Sequence, residues 1–485
     1  MLFNSYEFLI FFPVVTVLYF LLPHKYRWAM LLVASCVFYM AFIPIYILVL
    51  FATIVIDYVA AIYIAKSTGR RRKVLLAAGV VPIVLILAVF KYLDFLSGSF
   101  GAIANAFGLH YPIGVINIIL PLGLSFHTFQ GLSYVIEVYR GRQEPERHPG
   151  IFAVYVMFYP QLVAGPIERP SNLLHQFREV HGFDAQRVVD GLKLMLWGLF
   201  KKMVIADRLA VFVGEVYGAP EAHSGLGLAL ATLFFAIQIY CDFSGYSDIA
   251  IGAAQVMGFR LMTNFNRPYH AVSLSEFWKR WHISLSTWFR DYLYIPLGGN
   301  RVPKWRWQFN LFVTFLVSGL WHGANWTFVI WGALHGFYLI LGLWTRGARE
   351  TAARVTRLER HRTIRRMLGA VWVFVLVCFA WIFFRAESLD QAVLIVRRLF
   401  GGWQLHPSYV SATLDKMGVS AVDVVILLLS IGFMELVHLW QSSEEERRLF
   451  ARSRAPVRWL IGYGLVFAIL VAGVFSNNQF IYFQF

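Results

Sequence analysis

The sequence is poor in charged residues and in cysteine. Asp, Glu, Lys and Arg make up 14% of its 485 residues, whereas a soluble domain carries about 25%. The three cysteines, Cys36, Cys241 and Cys378, lie in apolar stretches at unrelated spacings. This spacing excludes a disulfide framework and a CxxC redox pair, so we expect three buried free thiols. Apolar residues dominate what remains, at 59% of the chain.

The short signatures of several enzyme classes are missing too. The chain has no G-x-S-x-G elbow, no P-loop, no H-E-x-x-H and no dinucleotide-binding glycine fingerprint. No histidine, cysteine or carboxylate cluster shows the spacing of metal ligands. These absences argue against a serine hydrolase, an ATP-driven pump and a zinc enzyme. We therefore expect no metal and no permanently bound cofactor.

Acidic residues are fewer than basic ones, 27 against 43, which leaves a formal net charge of +16. The basic residues cluster in short loops between apolar runs, at 65–73, 345–367 and 441–458. Lys and Arg concentrate in the cytoplasmic loops of membrane proteins, so this charge predicts topology and no nucleic-acid partner. Counting spans outward from the first two loops places both termini outside the cytoplasm.

Long apolar runs recur along the whole chain, and each is long enough to be considered a membrane span. They predict an all-α polytopic membrane protein with spans near 7–22, 28–43, 46–64, 74–91, 113–138, 190–213, 226–256, 309–321, 325–344, 369–386, 421–440 and 457–475. The first run lacks a basic n-region and a cleavage site, so we expect it to be retained. Segments 150–166 and 273–298 are expected to be re-entrant or interfacial.

Polar side chains interrupt the apolar sequence between residues 160 and 300. Polar groups at membrane depth are costly and usually face a bundle interior or a water-filled cavity. We therefore expect one membrane domain, 1–485, whose outer spans surround a central polar funnel. Its parts are N-terminal spans (1–110), a catalytic core (111–345), C-terminal spans (346–475) and an extracytoplasmic tail (476–485).

His322 lies in SGLWHGANW, between apolar runs whose flanking loops, 300–308 and 345–367, are both basic. The chain must therefore enter the membrane and return. About 13 helical residues before His322 span about 20 Å, less than the roughly 30 Å hydrocarbon core. We expect Gly323 and Asn325 to break the helix at this turn. Histidine is the natural general base near neutral pH; the alternative is a neutral histidine that hydrogen-bonds between helices.

A second histidine, His282, lies in EFWKRWHISLSTWFRDYLY. Taken as one helix, this segment places Trp278, His282, Thr287 and Tyr294 on roughly one side, with charged residues on the rest. An interfacial helix with tryptophan anchors and snorkelling basic residues is the alternative, and it explains the tryptophans well. It explains the second histidine and the two nearby serines less well.

Five segments closely resemble the membrane-bound O-acyltransferase family, and within it the branch that acetylates alginate. They are PLGLSFHTFQGLSYVIEVYRG (121–141), FYPQLVAGPIERP (158–170), YCDFSGYSDIAIG (240–252), NFNRPYHAVSLSEFWKRWHISLSTWFRDYLYIPLGGN (264–300) and GLWHGANWTFVIWGALHG (319–336). The resemblance implies the helical bundle of that family, an acetyltransferase activity and functional roles for His322 and His282. It also implies an acyl donor reached from the cytoplasm, with acetyl-CoA as the usual donor.

The other candidate site residues come from the same motifs and from basic residues expected at the cytoplasmic mouth. We expect Lys201, Lys202 and Arg280 to meet the phosphates of acetyl-CoA. Further substrate contacts are expected from Asn325, Trp321, Trp278, Ser284 and Asp291.

The last six residues, FIYFQF, resemble the F-x-Y-x-x-F tail of envelope-modifying members of the family. The resemblance implies that the hydroxyl of Tyr482 carries the acyl group on the outer side of the membrane. We expect the tail to turn back at Asn477 and Asn478, so that its aromatic rings dock in the outer mouth of the funnel. The alternative is an aromatic belt at the membrane interface.

These features and the resemblance together predict transfer of acetyl groups from a cytoplasmic donor across a bacterial inner membrane. The expected acceptor is an envelope polysaccharide, alginate or a similar exopolysaccharide, reached through a separate extracytoplasmic transferase. Peptidoglycan and cellulose acetylation use related membrane proteins and stay open. A transporter of an acyl donor and a scaffold for a synthase complex are the non-catalytic alternatives, and neither needs a histidine at the turn of a hairpin.

Overall fold

The computed structural model describes residues 1–109, 120–401, 403–404, 406–440, 455–475 and 480–481. This part of the chain is helical and contains no strand, which confirms the predicted all-α class. Among the described residues, six helices are long and apolar enough to cross a membrane: Pro44–Ala65, Gly69–Ala106, Gly225–Met257, Trp326–Trp344, Arg362–Arg385 and Ala421–Trp440. The chain is a multi-pass membrane protein.

The N-terminal layer consists of α1 (Tyr6–Leu21), α2 (His24–Met40), α3 (Ile47–Ala65) and α4 (Gly69–Ala106), with a 3-10 turn at Pro44–Tyr46. At 38 residues, α4 is about 57 Å long, much longer than the span predicted at 74–91. The predicted span covers only the apolar centre of α4. The helix also includes the basic residues before that centre and the small, partly polar residues after it, because neither group interrupts helical hydrogen bonding.

Helices α5 to α14 form the core region. They are α5 (Leu124–Arg140), α6 (Pro149–Met157), α7 (Pro170–Leu173), α8 (Ala185–Leu199), α9 (Asp207–Gly218), α10 (Gly225–Met257), α11 (Leu274–Arg280), α12 (Ile283–Phe289), α13 (Lys304–His322) and α14 (Trp326–Trp344). Short 3-10 turns occur at Leu174–Arg178, Pro220–Ala222 and Pro268–His270, and π-helical turns at Phe200–Ala206 and Arg290–Tyr294.

The C-terminal layer consists of α15 (Arg346–Val355), a 3-10 turn at Leu358–Arg360, α16 (Arg362–Arg385), α17 (Leu389–Leu399), α18 (Pro407–Lys416), α19 (Ala421–Trp440) and α20 (Ala455–Ala472). Most of the predicted basic loop 441–458 lies outside the described residues, as does 110–119, the start of the span predicted at 113–138.

The long helix α10 is the central helix of the core, and its predicted span, 226–256, is confirmed within one residue at each end. The hydroxyl of Ser224 accepts a hydrogen bond from Gly227 N at 3.2 Å, which caps the first turn. Gly258 ends the helix in the left-handed region, with φ of 105°, where only glycine is unstrained. Both residues that mark the helix ends, Ser224 and Gly258, can be identified from the sequence alone.

Glycines let α8 and α10 touch backbone to backbone. A Cβ added to Gly198 would lie 2.5 Å from the carbonyl oxygen of Gly245, and one added to Gly252 would lie 2.5 Å from that of Gly191. Small residues allow such close approach between membrane helices. The region predicted as one span, 190–213, is divided between α8, a π-helical turn and α9.

The segment EFWKRWHISLSTWFRDYLY (276–294) departs from its interpretation as one helix. His282 adopts the left-handed conformation, with φ of 42° and ψ of 57°, and separates α11 from α12. Helical periodicity gives no warning of such a residue, because it concerns the backbone angles of one position. The predicted common side of Trp278, His282, Thr287 and Tyr294 therefore does not exist as a helix face. A left-handed histidine is uncommon and often marks a functional position.

Candidate active site

Two buried histidines from separate parts of the chain meet in the core. The imidazole rings of His282 and His322 have their centroids 6.5 Å apart. His282 lies between α11 and α12, and His322 is the last residue of α13. Both side chains are withdrawn from solvent, at 0% and 4% exposure. The structure therefore brings together the two histidines that the sequence singles out.

His322 lies at the turn of a helical hairpin formed by α13 and α14. The helices touch at Gly319 and Gly332; a Cβ on Gly319 would lie 2.3 Å from the carbonyl oxygen of Phe328. The side chain of Asn325 caps α14 by accepting from Thr327 N at 3.1 Å. The predicted break after His322 is thus confirmed. Helix α13 has 19 residues and a length of about 28 Å, which exceeds the roughly 20 Å predicted before His322.

A lysine from α4 holds the end of this hairpin. Lys91 Nζ donates to the carbonyl oxygens of Trp321, at 2.5 Å, and His322, at 3.0 Å. Tyr92 OH donates to the carbonyl oxygen of Leu320 at 2.7 Å. The last carbonyls of a helix lack partners within the helix, and a cation there complements the helix dipole. Sequence analysis missed both residues, although a lysine inside an apolar run was a visible signal.

Aromatic side chains surround the histidine pair. Trp321 and Trp331 each lie 4.9 Å from the His322 ring, and Phe384 lies 5.3 Å from it. Phe243 meets the ring of His282 edge-on at 4.7 Å. Such a wall keeps bulk water away from the imidazoles, which limits hydrolysis of a reactive ester or thioester.

The left-handed backbone at His282 is held by a polar network. Ile283 N donates to the carbonyl oxygen of Asn264 at 2.9 Å. The Ser284 hydroxyl donates to Asn264 Oδ1 at 3.0 Å and accepts from Ile167 N at 3.0 Å. Ser284 was predicted to bind substrate. In the structure its hydroxyl connects three protein segments instead, so we assign it to positioning His282.

Two predicted substrate-binding residues lie at or just behind the pair. Trp321 contacts both histidines, with its ring 6.1 Å from that of His282. Trp278 packs behind Trp331, at 5.7 Å between centroids, and so lies one side chain away from His322. The structure therefore places Trp321 in the wall of the site and Trp278 outside that wall.

The other polar residues that were predicted to bind substrate already form hydrogen bonds or ion pairs within the protein. Asn325 donates to the carbonyl oxygen of Glu387 at 2.9 Å, in addition to capping α14. Asp291 forms an ion pair with Arg290 at 2.7 Å. Arg280 pairs with Glu276 at 2.6 Å. These interactions give Asn325 and Arg280 structural roles.

Lys201 and Lys202 need a correction, because both are buried and neutralised. Lys201 Nζ lies 2.7 Å from Asp248, and Lys202 Nζ lies 2.5 Å from Asp242 and 2.9 Å from Asp207. Buried charges persist when they are paired in this way. The sequence could not show which distant carboxylates would reach these lysines. Neither lysine offers an open face to the phosphates of a donor.

A cavity of about 230 Å³ lies beside this ion-paired group. Its polar lining residues are Lys202, Asp207, Gln238, Asp242 and Arg385, and Ile481 of the C-terminal tail also reaches it. On the predicted topology the cavity is on the outer side, because α16 begins after a cytoplasmic loop and ends at Arg385.

The described part of the tail is docked in the core. Ile481 N donates to Asp242 Oδ2 at 2.7 Å. The ring of Phe480 packs edge-on against Tyr246 at 4.5 Å, and Lys202 Nζ lies 4.3 Å from its centroid. Phe480 and Ile481 are 1% and 3% exposed, which does not fit a belt that faces lipid. Tyr482, Asn477 and Asn478 lie outside the described residues.

Adjacent residues on two helices belong to the cavity and to the histidine site. Asp242, which lines the cavity and holds the tail, precedes Phe243, which packs on His282. Arg385, which lines the cavity, follows Phe384, which packs on His322. Helices α10 and α16 therefore each contribute one residue to the cavity and its neighbour to the histidine site.

Comparisons with known proteins identify the family of this chain. Residues 147–386, which include both histidines, match the model of the MBOAT, membrane-bound O-acyltransferase family. The chain is 41% identical to the probable alginate O-acetylase AlgI of Azotobacter vinelandii, over 89% of this chain and 83% of the relative. It is 37% identical to that of Pseudomonas putida, over the full length of both. It is 32% identical to a peptidoglycan O-acetyltransferase of Helicobacter pylori, over 94% and 91% of the two chains.

Proposed function

We propose, since the chain belongs to the membrane-bound O-acyltransferase family, that this O-acyltransferase carries acetyl groups across a bacterial inner membrane to an envelope polysaccharide. The donor is acetyl-CoA in the cytoplasm. The polymer is alginate or a similar exopolysaccharide, because relatives named for alginate match most of the chain. A relative named for peptidoglycan makes that polymer the second candidate.

The observation that carries the proposal is the contact between His282 and His322 inside an aromatic wall. His322 acts as the general base that takes the proton from an acceptor hydroxyl. His282 orients His322 and the reacting groups from its strained position. A transporter or a scaffold would not need two imidazoles buried against each other at the turn of a hairpin.

The acceptor is Tyr482, which follows the docked residue Ile481 directly. Its phenol oxygen attacks the acetyl carbonyl of the thioester, His322 takes the phenolic proton, and the C–S bond breaks. The coenzyme A thiolate leaves and receives that proton, so the products are coenzyme A and an acetyl-tyrosine ester. A phenol with an ordinary pKa near 10 needs such a base at neutral pH.

The position of the tail supports transfer to the outer side. Phe480 packs on Tyr246, and Ile481 donates to Asp242, the residue that precedes Phe243 on α10. The basic loops predict that the C-terminal end of α20 lies outside, as does the N-terminus. An extracytoplasmic transferase then takes the acetyl group from Tyr482 and esterifies a polymer hydroxyl.

Reconstituted protein tests the proposal directly. Vesicles that contain the wild-type protein should transfer radiolabelled acetyl from acetyl-CoA to the protein's own C-terminal peptide. His322→Ala should abolish the transfer and still accumulate in the membrane. His175→Ala, a half-exposed histidine that pairs with Glu179 at 3.4 Å, serves as the matched control and should transfer normally. Equal labelling of the wild-type protein and His322→Ala would refute the catalytic assignment.

A further inference from the structure

The side chains of Arg140 and Arg169 both lie over the ring of Tyr292, near the C-terminal end of α5. The guanidinium carbon of Arg140 lies 5.1 Å from the centroid of the Tyr292 ring, and that of Arg169 lies 5.0 Å from it. Arg140 ends α5, Arg169 immediately precedes α7, and Tyr292 belongs to the second π-helical turn. Three separate segments of the chain therefore build this cluster.

The guanidinium of Arg169 is incompletely satisfied. Its two terminal nitrogens, Nη1 and Nη2, are buried and have no hydrogen-bond partner among the described residues. Burial lowers the pKa of Arg169 below its usual value, because desolvation disfavours the charged form. An unpaired buried donor costs free energy, and a planar guanidinium suits the two oxygens of a phosphate. The guanidinium of Arg169 can therefore accommodate an anion.

The neighbouring carboxylates do not remove this excess of positive charge. Glu137 is shared by Arg140, at 3.2 Å, and Arg142, at 3.9 Å. Asp291 is engaged by Arg290. Glu168 precedes Arg169, but both its carboxylate oxygens accept hydrogen bonds, from Met262 N and from Asn172. Four arginines, Arg140, Arg142, Arg169 and Arg290, thus surround the three acidic side chains Glu137, Asp291 and Glu168.

A series of aromatic ring contacts connects Tyr292 to the histidines. Tyr292 lies 5.1 Å from Trp288, which stacks on Phe129 at 3.8 Å. Phe129 in turn lies 5.4 Å from Trp321, which contacts His322. Three rings therefore separate Tyr292 from the catalytic imidazole. A donor with an anionic end and a reactive thioester end needs two such positions, one for its anionic end and one for its thioester.

We propose that Arg140, Arg169 and Tyr292 form an anion site that binds the phosphate groups of the acyl donor, while its thioester reaches His322. This inference rests on the proposed function and replaces Lys201, Lys202 and Arg280 in the phosphate-binding role. The predicted topology agrees with it, because Arg140 leads into the loop 141–148, whose arginines favour the cytoplasm.

Binding to the detergent-purified full-length protein provides the test. Coenzyme A and pantetheine, which lacks the phosphates, are the two probes. The wild-type protein should bind coenzyme A more tightly than pantetheine. Arg169→Gln and Arg140→Gln should each weaken coenzyme A binding by about tenfold, the loss of one charge-assisted contact. Pantetheine binding should not change, which also shows that each variant is folded.

Two further variants sharpen the measurement. Arg169→Lys keeps the charge and loses the planar fork, so its coenzyme A affinity should lie between those of the wild-type protein and Arg169→Gln. Arg346→Gln is the matched control, since Arg346 is 76% exposed and pairs within α15 with Glu350 at 2.9 Å. It should bind coenzyme A like the wild-type protein.

The outcomes separate this inference from the proposed function. Unchanged coenzyme A affinity in both Gln variants would overturn the site, whatever the transfer activity. If Arg169→Gln instead loses co-purifying phosphatidylglycerol and keeps its coenzyme A affinity, the anion is a lipid headgroup and the donor assignment fails. Coenzyme A binding that depends on Arg169, in a protein that transfers no acetyl group, would support the site and refute the proposed function.

Discussion

Lys91 of α4 and His322 of α13 are joined by a hydrogen bond, 3.0 Å from Nζ to the histidine carbonyl oxygen. The bond spans 231 positions of the sequence, and the same ammonium also holds the carbonyl oxygen of Trp321. A helix of the N-terminal layer therefore fixes the position of the catalytic turn. Sequence patterns within either segment contain no information about this contact.

Removing the Lys91 ammonium should misplace His322. We expect Lys91→Met to lower acetyl transfer by about tenfold or more, since losing a hydrogen bond from a charged group costs about 1.5–3 kcal/mol. Lys91→Arg should recover part of the activity, which a purely destabilising change would not allow. Transfer rates and thermal unfolding of the purified variants would be compared. A fully active Lys91→Met would show that the hairpin positions His322 without help from α4.

His282 should matter less than His322. A general base contributes about 10²–10⁴ to rate, and we expect His322→Ala to lose all of that. His282→Ala should be severely impaired but leave measurable transfer, because His282 orients the base and does not take the proton. Single-turnover transfer from acetyl-CoA measures the difference. Wild-type rates in His282→Ala would remove this residue from the site.

The hydroxyl of Tyr482 should be required although its ring is not. Tyr482→Phe keeps nearly all of the ring surface and removes only the proposed acetyl acceptor. We expect this variant to be as inactive as His322→Ala in polymer acetylation. Mass spectrometry of the wild-type C-terminal peptide should show a fraction with one added acetyl group. Normal polymer acetylation by Tyr482→Phe would mean that the tail is only an anchor.

Glu168 should make stability depend on pH. Burial raises the pKa of its carboxyl from 4.5 to about 7, so the folded protein favours the neutral form. The stabilisation is fully present below about pH 4.5 and is lost as pH rises through 7. A shift of this size corresponds to about 3 kcal/mol. Melting temperatures should fall between pH 5 and pH 7.5, and Glu168→Gln should flatten that slope. An equal slope in both proteins would contradict the raised pKa.

The basic loops should face the cytoplasm. Single cysteines that replace Arg71, Arg357 or Arg452 should resist a membrane-impermeant thiol reagent in intact cells and react once the cells are opened. A cysteine that replaces Asp415, on the opposite side of the predicted topology, is the matched control and should react in intact cells. Labelling of the three loop cysteines in intact cells would invert the topology and move the donor site to the wrong side.

Local signals predicted the parts of the fold that depend on neighbouring residues. The ends of α10 were correct because Ser224 and Gly258 mark them, and the turn after His322 was correct because Gly323 and Asn325 cannot continue the helix. The break at His282 was missed because its left-handed backbone is held by Asn264, an interaction that helical periodicity cannot represent.

Long-range pairing explains the errors in the site. Lys201 and Lys202 looked available for phosphate because their partners, Asp248 and Asp242, lie about 40 positions further along the chain. Arg169 was overlooked for the opposite reason, since nothing in the sequence shows that its terminal nitrogens stay without a partner. Residue type and spacing identified the histidines, but only the fold distinguishes paired charges from available ones.

The glycine contacts between α8 and α10 have a mechanical consequence. Where backbones touch at Gly198 and Gly245, a Cβ added to Gly198 would also lie 2.8 Å from the side chain of Ile249, so the two helices are closely packed around this contact. Helices α13 and α14, which form the hairpin that carries His322, are in similarly close contact at Gly319 and Gly332. We therefore expect the protein to behave as a stiff frame that opens by side-chain rotation, not by helix movement. Turnover in vesicles of different acyl-chain length should accordingly change little with bilayer thickness, and a steep dependence would point to a sliding helix.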